Sequence, residues 1–499
     1  MRRFYALALS MTLPLRPALS ASGPPTDRPP APEPMIEAPT AAPPAVPIEP
    51  PGQSPRAKGP KPKPENYHVA PKAWGARNET EPPGYVKPLS QYEWLDAKDV
   101  DWIDFGIEQR TRWEYRDDNY RETDLTKDTE FLLRTRVYLG VREVLDPFRF
   151  AIEFQDSRQE GSDFPETNRD VDEVDLLQAY GELYFENALG ADRPLRFQFG
   201  RMAFDYIDRK LVARNRWRNT TNSFEGFRLQ LGQPRNDWQL DFLAVQPVER
   251  LLRSFDRAEE ERWFYGVIGA WRRWSRQFTL EPYYLVLDED RQGSTMVDRE
   301  IHTMGLHAYG AIAGTAFDYD TDVAFQFGDD GDRDHRAFAT YAELGYSFAH
   351  QWKPRLNTSF LYASGDRDPD DNKAERFDRL FGAAHFLSAT DYFTYRNNIN
   401  PKLRLELRPR EKLRIDTSYG GYWLASDSDA WPDIGRRDRT GRSGDFVGQE
   451  LEMRARYQLT SYAELEVGYA HFFPGSFVEH TGPADDSDFF YVQTAITLP

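Results

Sequence analysis

The chain contains no cysteine in 499 residues. Disulfides, thiolate metal centres and cysteine nucleophiles are therefore excluded. Histidine is scarce, eight in all, and none stands at metal-ligand spacing. There is no P-loop, no His-Glu-x-x-His and no Gly-x-Ser-x-Gly. Carboxylates abound, but in a charged lumen or loop they carry no acid–base signature, so neither an enzyme nor a cofactor is expected. Past the N-terminus no stretch approaches the ~18–20 apolar residues of a membrane-spanning helix. A basic excess is also missing: 63 Lys and Arg stand against 81 Asp and Glu. That balance argues against nucleic acid as a partner.

What the chain has instead is a repeated alternation. From about Trp102 onward, stretches of roughly ten residues place apolar side chains on one face and charged ones on the other. The clearest copy runs from Phe317 to Phe327. Phe317, Tyr319, Val323, Phe325 and Phe327 share one face; Asp318, Asp320, Asp322 and Gln326 share the other. Many such strands without intervening helices imply an all-β fold, a transmembrane antiparallel up-and-down β-barrel with an oily outside and a wet inside. Mean hydropathy of -0.73 is compatible with this, because only every second strand residue meets lipid.

Nineteen stretches alternate well enough to be candidates: 103–115, 130–142, 147–156, 174–186, 194–203, 209–217, 223–233, 237–246, 262–273, 276–288, 300–313, 316–328, 337–349, 354–363, 400–409, 411–424, 445–458, 463–473 and 488–498. Single-chain barrels have even strand counts, so about 18 strands are expected. The weakest candidate is 209–217, where Arg209, Lys210, Arg214, Arg216 and Arg218 do not alternate cleanly. Tight turns at Leu145–Pro147 and Pro409–Glu411 contrast with long connections at 159–172, 249–260, 365–398 and 426–444. Short periplasmic turns and long extracellular loops fit a barrel whose termini are both periplasmic.

Ahead of the barrel (101–499) lie three segments. Residues 1–22 read as a signal peptide, with Arg2 and Arg3 before the apolar Phe4–Leu15 and small residues near Ser20. Residues 23–66 form a disordered Pro-rich linker, with 16 prolines between Pro24 and Pro64. Its basic end (Arg56, Lys58, Lys61, Lys63) offers a contact for a periplasmic partner. Residues 67–100 are a transitional periplasmic segment, placed to cap or plug the periplasmic mouth.

Parity names the inward set. Glu108, Arg110, Arg112 and Glu114 face in on the first strand; Arg134, Arg136, Tyr138 and Arg142 do so on the second. Arg149, Glu153, Arg228 and Gln230 follow, then Lys402, Arg404, Glu406, Arg408, Arg414, Asp416, Glu450, Glu452, Arg454 and Arg456. Arginine's planar fork suits exchangeable contacts with carboxylates, and conduction needs many weak sites. Plain charge balance with lumen carboxylates is the alternative reading. The Asp318–Asp322 strand, far along the sequence from these arginines, makes a two-sided pore the expectation. Asp366, Asp368 and Asp370 resemble an oxygen-rich calcium loop but lack the spacing and closing Glu of an EF-hand.

Three stretches resemble the alginate-export family of outer-membrane proteins. The first is Leu195–Arg201 with Arg214–Asn219 and Ser223–Gly226. The second runs through Tyr341–Tyr346, Lys353-Pro354 and Tyr362–Asp366 to Phe377, Leu380-Phe381, His385 and Asp391. The third is Gly448–Glu452. The resemblance spans roughly 103–499 and implies an eighteen-stranded monomeric barrel with gating loops. It implies passage of an anionic uronate polymer through an arginine-rich constriction. Carried over by position, it places Arg201 in a Gly-Arg motif and Arg110, Arg112, Arg134 and Arg136 among the basic pore residues. Departures are Gln178-Ala179-Tyr180 where a charged pair is expected, the Pro-rich N-terminus, and an end at Leu498-Pro499 rather than on an aromatic residue.

The expected role is therefore an outer-membrane channel, set in lipid, exporting an acidic polysaccharide. The alternatives are a small-solute uptake porin and a barrel that anchors a partner protein.

Overall fold

The computed structural model describes residues 66–69, 72, 78–122, 127–290, 298–383 and 385–499. The expected signal peptide and nearly all of the Pro-rich linker lie outside these residues. Eighteen antiparallel strands form the barrel. They are β1 (Ile103–Asp117), β2 (Asp128–Val141), β3 (Phe148–Glu160), β4 (Asp172–Phe185), β5 (Leu195–Met202), β6 (Phe224–Leu231), β7 (Trp238–Glu249), β8 (Arg262–Trp274) and β9 (Phe278–Glu289). They continue as β10 (Arg299–Ala311), β11 (Phe317–Asp330), β12 (Arg333–Ser347), β13 (Arg355–Ala363), β14 (Asn398–Arg410), β15 (Leu413–Trp423), β16 (Phe446–Thr460), β17 (Ala463–Pro474) and β18 (Ser487–Thr497). Each pairs with its neighbour in sequence, and β1 closes on β18 from Glu108↔Thr497 to Asp117↔Asp488. Closure leaves no open edge, which is what lets a sheet cross a bilayer.

The connections differ between the two ends. Turns such as 411–412 and 461–462 are minimal. At the other end stand L1 (118–127), L2 (161–171), L3 (203–223), L4 (250–261), L7 (364–397), L8 (424–445) and L9 (475–486). L9 carries α1 (Ser476–Thr481), the single α-helix among the described residues. The short-turn end, from which both β1 and β18 emerge, is periplasmic.

The outer surface follows the alternation. Phe131, Leu139, Phe150, Phe154, Met304, Phe325, Leu403 and Met453 are exposed along the strands. Aromatic rings gather at both ends: Trp271 with Trp274, and Tyr346 between Phe317 and Phe348, near the periplasmic turns; Trp263 stacked with Tyr265, and Trp423 against Phe446, near the long loops. These are the interfacial girdles of a membrane barrel.

The interior departs from the expected wet inside. On β6 to β13 the inward positions include an apolar patch of Leu243, Val245, Phe264, Leu285, Leu287, Ala337, Ala339 and Leu361. Two loops fold in to cover them. L3 contributes Phe204, Ile207, Leu211 and Val212; L7 contributes Phe377, Leu380, Leu387 and Tyr395. The candidate strand 209–217 is the middle of L3. Its apolar residues bury against the inner wall instead of alternating across a sheet. L3 is braced by a Tyr206↔Val212 bridge and meets L7 through Val212↔Phe381.

The acidic strand also differs from expectation. Asp318, Asp320 and Asp322 turn inward but do not meet an open lumen. Arg355 donates to Asp318 at 2.6 Å, Lys210 of L3 to Asp320 at 2.8 Å, and the Tyr283 hydroxyl to Asp322 at 2.9 Å. With Asp318 and Asp320 paired to cations and all three buried, this wall does not make the pore two-sided.

Candidate functional site

L3 divides the lumen, and the arginines of β1 and β2 hold it there. Arg110 donates to the carbonyls of Arg216 at 2.8 Å, Trp217 at 3.1 Å and Arg218 at 2.9 Å, and to Asn219 Oδ1 at 2.9 Å. Arg134 reaches the Arg216 and Arg218 carbonyls at 3.2 Å while pairing with Glu108 at 3.0 Å. Arg136 donates to Gln155 at 3.1 Å and Thr221 at 2.6 Å. Arg112 donates to the Trp217 carbonyl at 2.6 Å, and its guanidinium lies 4.0 Å from that ring's centre. Multiple donors on one cation satisfy a run of loop carbonyls that folding would otherwise bury unpaired.

The far end of L3 is clamped by charge. Lys210, fully buried, bonds Asp320 and lies 3.3 Å from His307 Nε2. His307 Nδ1 stands 2.8 Å from Glu281. Asp208 completes the group, 3.6 Å from His307; burial pushes its carboxyl up to about 8. Arg214 pairs with Glu153 at 3.2 Å.

Among the described residues, cavities remain along the lumen. The central one, about 250 Å³, lies between L3, L7 and the walls of β1, β2 and β15 to β18. The periplasmic one, about 420 Å³, shares Arg209, Arg216, Asp416 and Arg456 with it. The extracellular one, about 110 Å³, shares only Trp217 with the central cavity. Trp217 stacks flat on His385 of L7, with ring centres 3.6 Å apart. Burial holds the His385 imidazole below its ordinary value, against the pull of the Asp391 carboxylate 3.7 Å away. Together the central and periplasmic cavities are lined by eleven Arg and Lys side chains against six carboxylates.

The arginines singled out from the sequence distribute unevenly. Arg110, Arg134, Arg454 and Arg456 line the central cavity, and Arg414 the periplasmic one. Arg454 pairs with Asp416 at 3.3 Å, and Arg456 with Glu466 at 3.3 Å. Arg112 borders the extracellular cavity. Arg136 and Arg404 are buried in the wall, the latter 3.2 Å from Glu452. Arg228 is buried against Glu81. Arg149 sits at the periplasmic turn, bonded to Asp146 at 2.7 Å and stacked over Tyr184. Arg201 lies at the extracellular end of β5, bonded to Glu225 at 3.2 Å and the Asp256 carbonyl at 3.0 Å. Neither Arg149 nor Arg201 reaches the cavities. The Gly-Arg motif instead ties β5 to L4.

The structure does not bring Asp366, Asp368 and Asp370 together. Asp366 faces Arg333 at 3.3 Å, Asp370 faces Arg439 at 3.0 Å, and Asp368 accepts from the Asp370 backbone at 3.2 Å. Among the described residues the carboxylate groups that converge are Asp208–His307–Asp320, where Lys210 already supplies the cation, and Asp172–Asp175–Asp256.

Arg209, Arg216, Trp217 and Lys353, all at the cavities, were not expected as site residues. The broken alternation at 209–217 was the available signal, since charges repeating at Arg214, Arg216 and Arg218 without an apolar partner face suit a loop reaching into a polar lumen.

Fold and lumen together define an outer-membrane β-barrel of the channel-forming kind, narrowed by its own loops and biased toward positive charge. Known proteins of this architecture include three from Pseudomonas aeruginosa. OprE aligns over 80% of this chain and 98% of its own at 14% identity, with a TM-score of 0.54 for OpdQ and 0.55 for OprE itself. OpdQ covers 80% of this chain and 99% of its own, also at 14% identity. OprD, at 11% identity and a TM-score of 0.52, covers 83% and 97%. Such identities carry the fold alone. No curated protein matches the chain significantly. The family model described as Alginate export matches residues 101–492. The chain belongs to the alginate export family, and its place is the bacterial outer membrane.

Proposed function

We propose that this barrel is a passive channel for an acidic, uronate-type polysaccharide leaving the cell. The carrying observation is the excess of eleven cations over six carboxylates around the central and periplasmic cavities. Such an excess lowers the electrostatic barrier for a polyanion, and paired arginines such as Arg454 and Arg456 exchange one carboxylate for another without a deep trap. Arg110, Arg134, Arg414, Arg454 and Arg456 are the path residues. Arg112, Arg136, Arg149, Arg201, Arg228 and Arg404 shape or support it from outside the two cavities. The protein acts as a monomer.

The test is a planar-bilayer recording of the purified full-length barrel. Anion-selective current blocked by uronate oligomers is expected, and Arg454→Ala with Arg456→Ala should lower both selectivity and block. Cation selectivity in the wild type would refute the proposal.

A second reading, uptake of a small carboxylate, draws on the size of the cavities and their partition at Trp217. Block that does not grow with oligomer length would favour it.

A further inference from the structure

A segment of the N-terminal arm enters the barrel from the periplasmic mouth. Lys87 and Pro88 pair with Phe105 and Asp104 of β1, beyond the point where β18 stops. The arm lies close because residue 106 is glycine; a Cβ there would stand 2.8 Å from the Tyr85 carbonyl oxygen. Tyr85 donates to Glu153 at 2.6 Å.

Farther in, the arm offers two carboxylates. Both oxygens of Glu81 accept from Arg228 Nη1, at 2.8 and 2.9 Å, and Arg196 stands 3.9 Å away. Arg228 is itself oriented: its Nε donates to the Tyr206 hydroxyl at 2.7 Å, and that hydroxyl donates to Asp241 at 2.6 Å. Glu79 lies 3.5 Å from Arg216 and 4.0 Å from Arg214, while its backbone N–H donates to Asp205 at 2.8 Å. All three of these partners belong to L3. The arm packs tightly enough to leave only about 10 Å³ beside Glu81.

Arg228 is buried, and apart from Glu81 its carboxylate partner is Asp241 at 3.7 Å. A buried guanidinium stripped of its main partner is costly, so the vacated position takes up an anion. Glu79 and Glu81 are two residues apart in the chain, so their Cα atoms are at most about 7 Å apart. The positions they fill therefore suit a ligand with repeating carboxylates.

Resting on the uronate reading above, we propose that Arg228 with Arg196, and Arg216 with Arg214, form a two-point carboxylate-binding site for successive sugar acids. Glu79 and Glu81 are an internal ligand that fills this site until the polymer displaces them. The burial that would raise each glutamate is outweighed by these arginines, which hold both carboxyls below their ordinary value.

The test is calorimetric titration of detergent-solubilised full-length protein with two ligands, a tetra-uronate and a synthetic peptide of residues 78–86. Four proteins are compared: wild type, E81Q, E79Q/E81Q, and E79Q/E81Q with R228Q. Each is first checked for the heat-modifiable gel shift of a folded barrel. An internal ligand that holds its site most of the time weakens an external one by the same factor. E79Q/E81Q should therefore bind both ligands about tenfold or more tighter than wild type, and R228Q should cancel the gain. E81Q, which keeps Glu79, should show part of the gain and serves if the double variant misfolds. Equal binding of both ligands by wild type and the glutamate variants overturns the site. If uronate binds them equally yet still blocks current, the channel reading survives and only the internal ligand is lost. If the peptide shows the gain and uronate does not, the two-point site stands and the uronate reading falls.

Discussion

Replacing Trp217 with alanine removes the one side chain common to the walls of the extracellular and central cavities. Its contacts set the size of the effect. The Arg112 guanidinium sits 4.0 Å above the ring, a desolvated cation–π contact of about 2 kcal/mol. His385 stacks at 3.6 Å and Tyr491 meets it edge-on at 4.8 Å, each about 0.5–1.5 kcal/mol. The sum agrees with the ~3–5 kcal/mol typical of a buried Trp→Ala change. The backbone of residue 217 stays anchored, because Arg110 and Arg112 donate to its carbonyl and not to its ring. The barrel should therefore fold, while the contact between L3 and L7 loses the His385 stack, about 0.5–1.5 kcal/mol or roughly two- to tenfold in its closed-to-open ratio. Single-channel recording should show higher mean conductance for Trp217→Ala and an intermediate value for Trp217→Phe. A folded Trp217→Ala barrel with wild-type conductance and wild-type uronate block would refute the idea that this ring partitions the lumen.

Two further outcomes are expected. Lys210→Met strips the cation from Asp320 in a fully buried group, a loss of about 3–5 kcal/mol; L3 should become protease-sensitive, and adding Asp320→Asn should recover part of the protection. Acidification should undock the N-terminal arm, because Glu79 and Glu81 sit below their ordinary value in the docked state. Their contribution is complete above about 4.3, the unfolded value, and fades as pH falls through the lower docked one. Proteolysis within 78–86 should accelerate near pH 3 relative to pH 7, and a pH-independent rate would contradict the assignment.

Much of the barrel was legible because its outer face obeys a period of two. The Phe317–Phe327 strand shows why: lipid demands Phe325 and Phe327 on one side, and nothing else places Asp320 and Asp322 on the other. The interior was harder to read. Phe264 turns inward and Tyr265 outward, so both faces of β8 are apolar and the period cannot say that a loop will cover the inner one. L3 resembled a strand only weakly, because the apolar run Leu211-Val212-Ala213 between Lys210 and Arg214 lies against the inner wall rather than across a sheet. Arg110 and Arg134 are buried on the inner face, but their partners were hidden. Arg110 and Arg134 bond backbone carbonyls of L3, and an acceptor present in every residue leaves no mark in a sequence. Arg134 and Arg136 therefore bear on the position of L3 as well as on charge.

The two inserts in this lumen are one energetic unit. L3 descends from the extracellular end, the arm enters from the periplasmic end, and they meet where Glu79 faces Arg214, Arg216 and Asp205. Glu81 adds a second tie through Arg228, whose Nε bonds Tyr206 of L3. Whatever displaces the arm leaves Arg216 without Glu79 and Asp205 without one of its two backbone donors. L3 is then less firmly held, and Arg216 faces both the central and the periplasmic cavity. By reciprocity, whatever free energy the docked arm lends to holding L3, a docked L3 lends to holding the arm. Trp217 is one residue from Arg216, so the partition at the extracellular side is mechanically continuous with the arm at the periplasmic side. A polyanion arriving from the periplasm that displaces Glu79 and Glu81 would therefore gain its own site and loosen the barrier ahead of it in a single exchange.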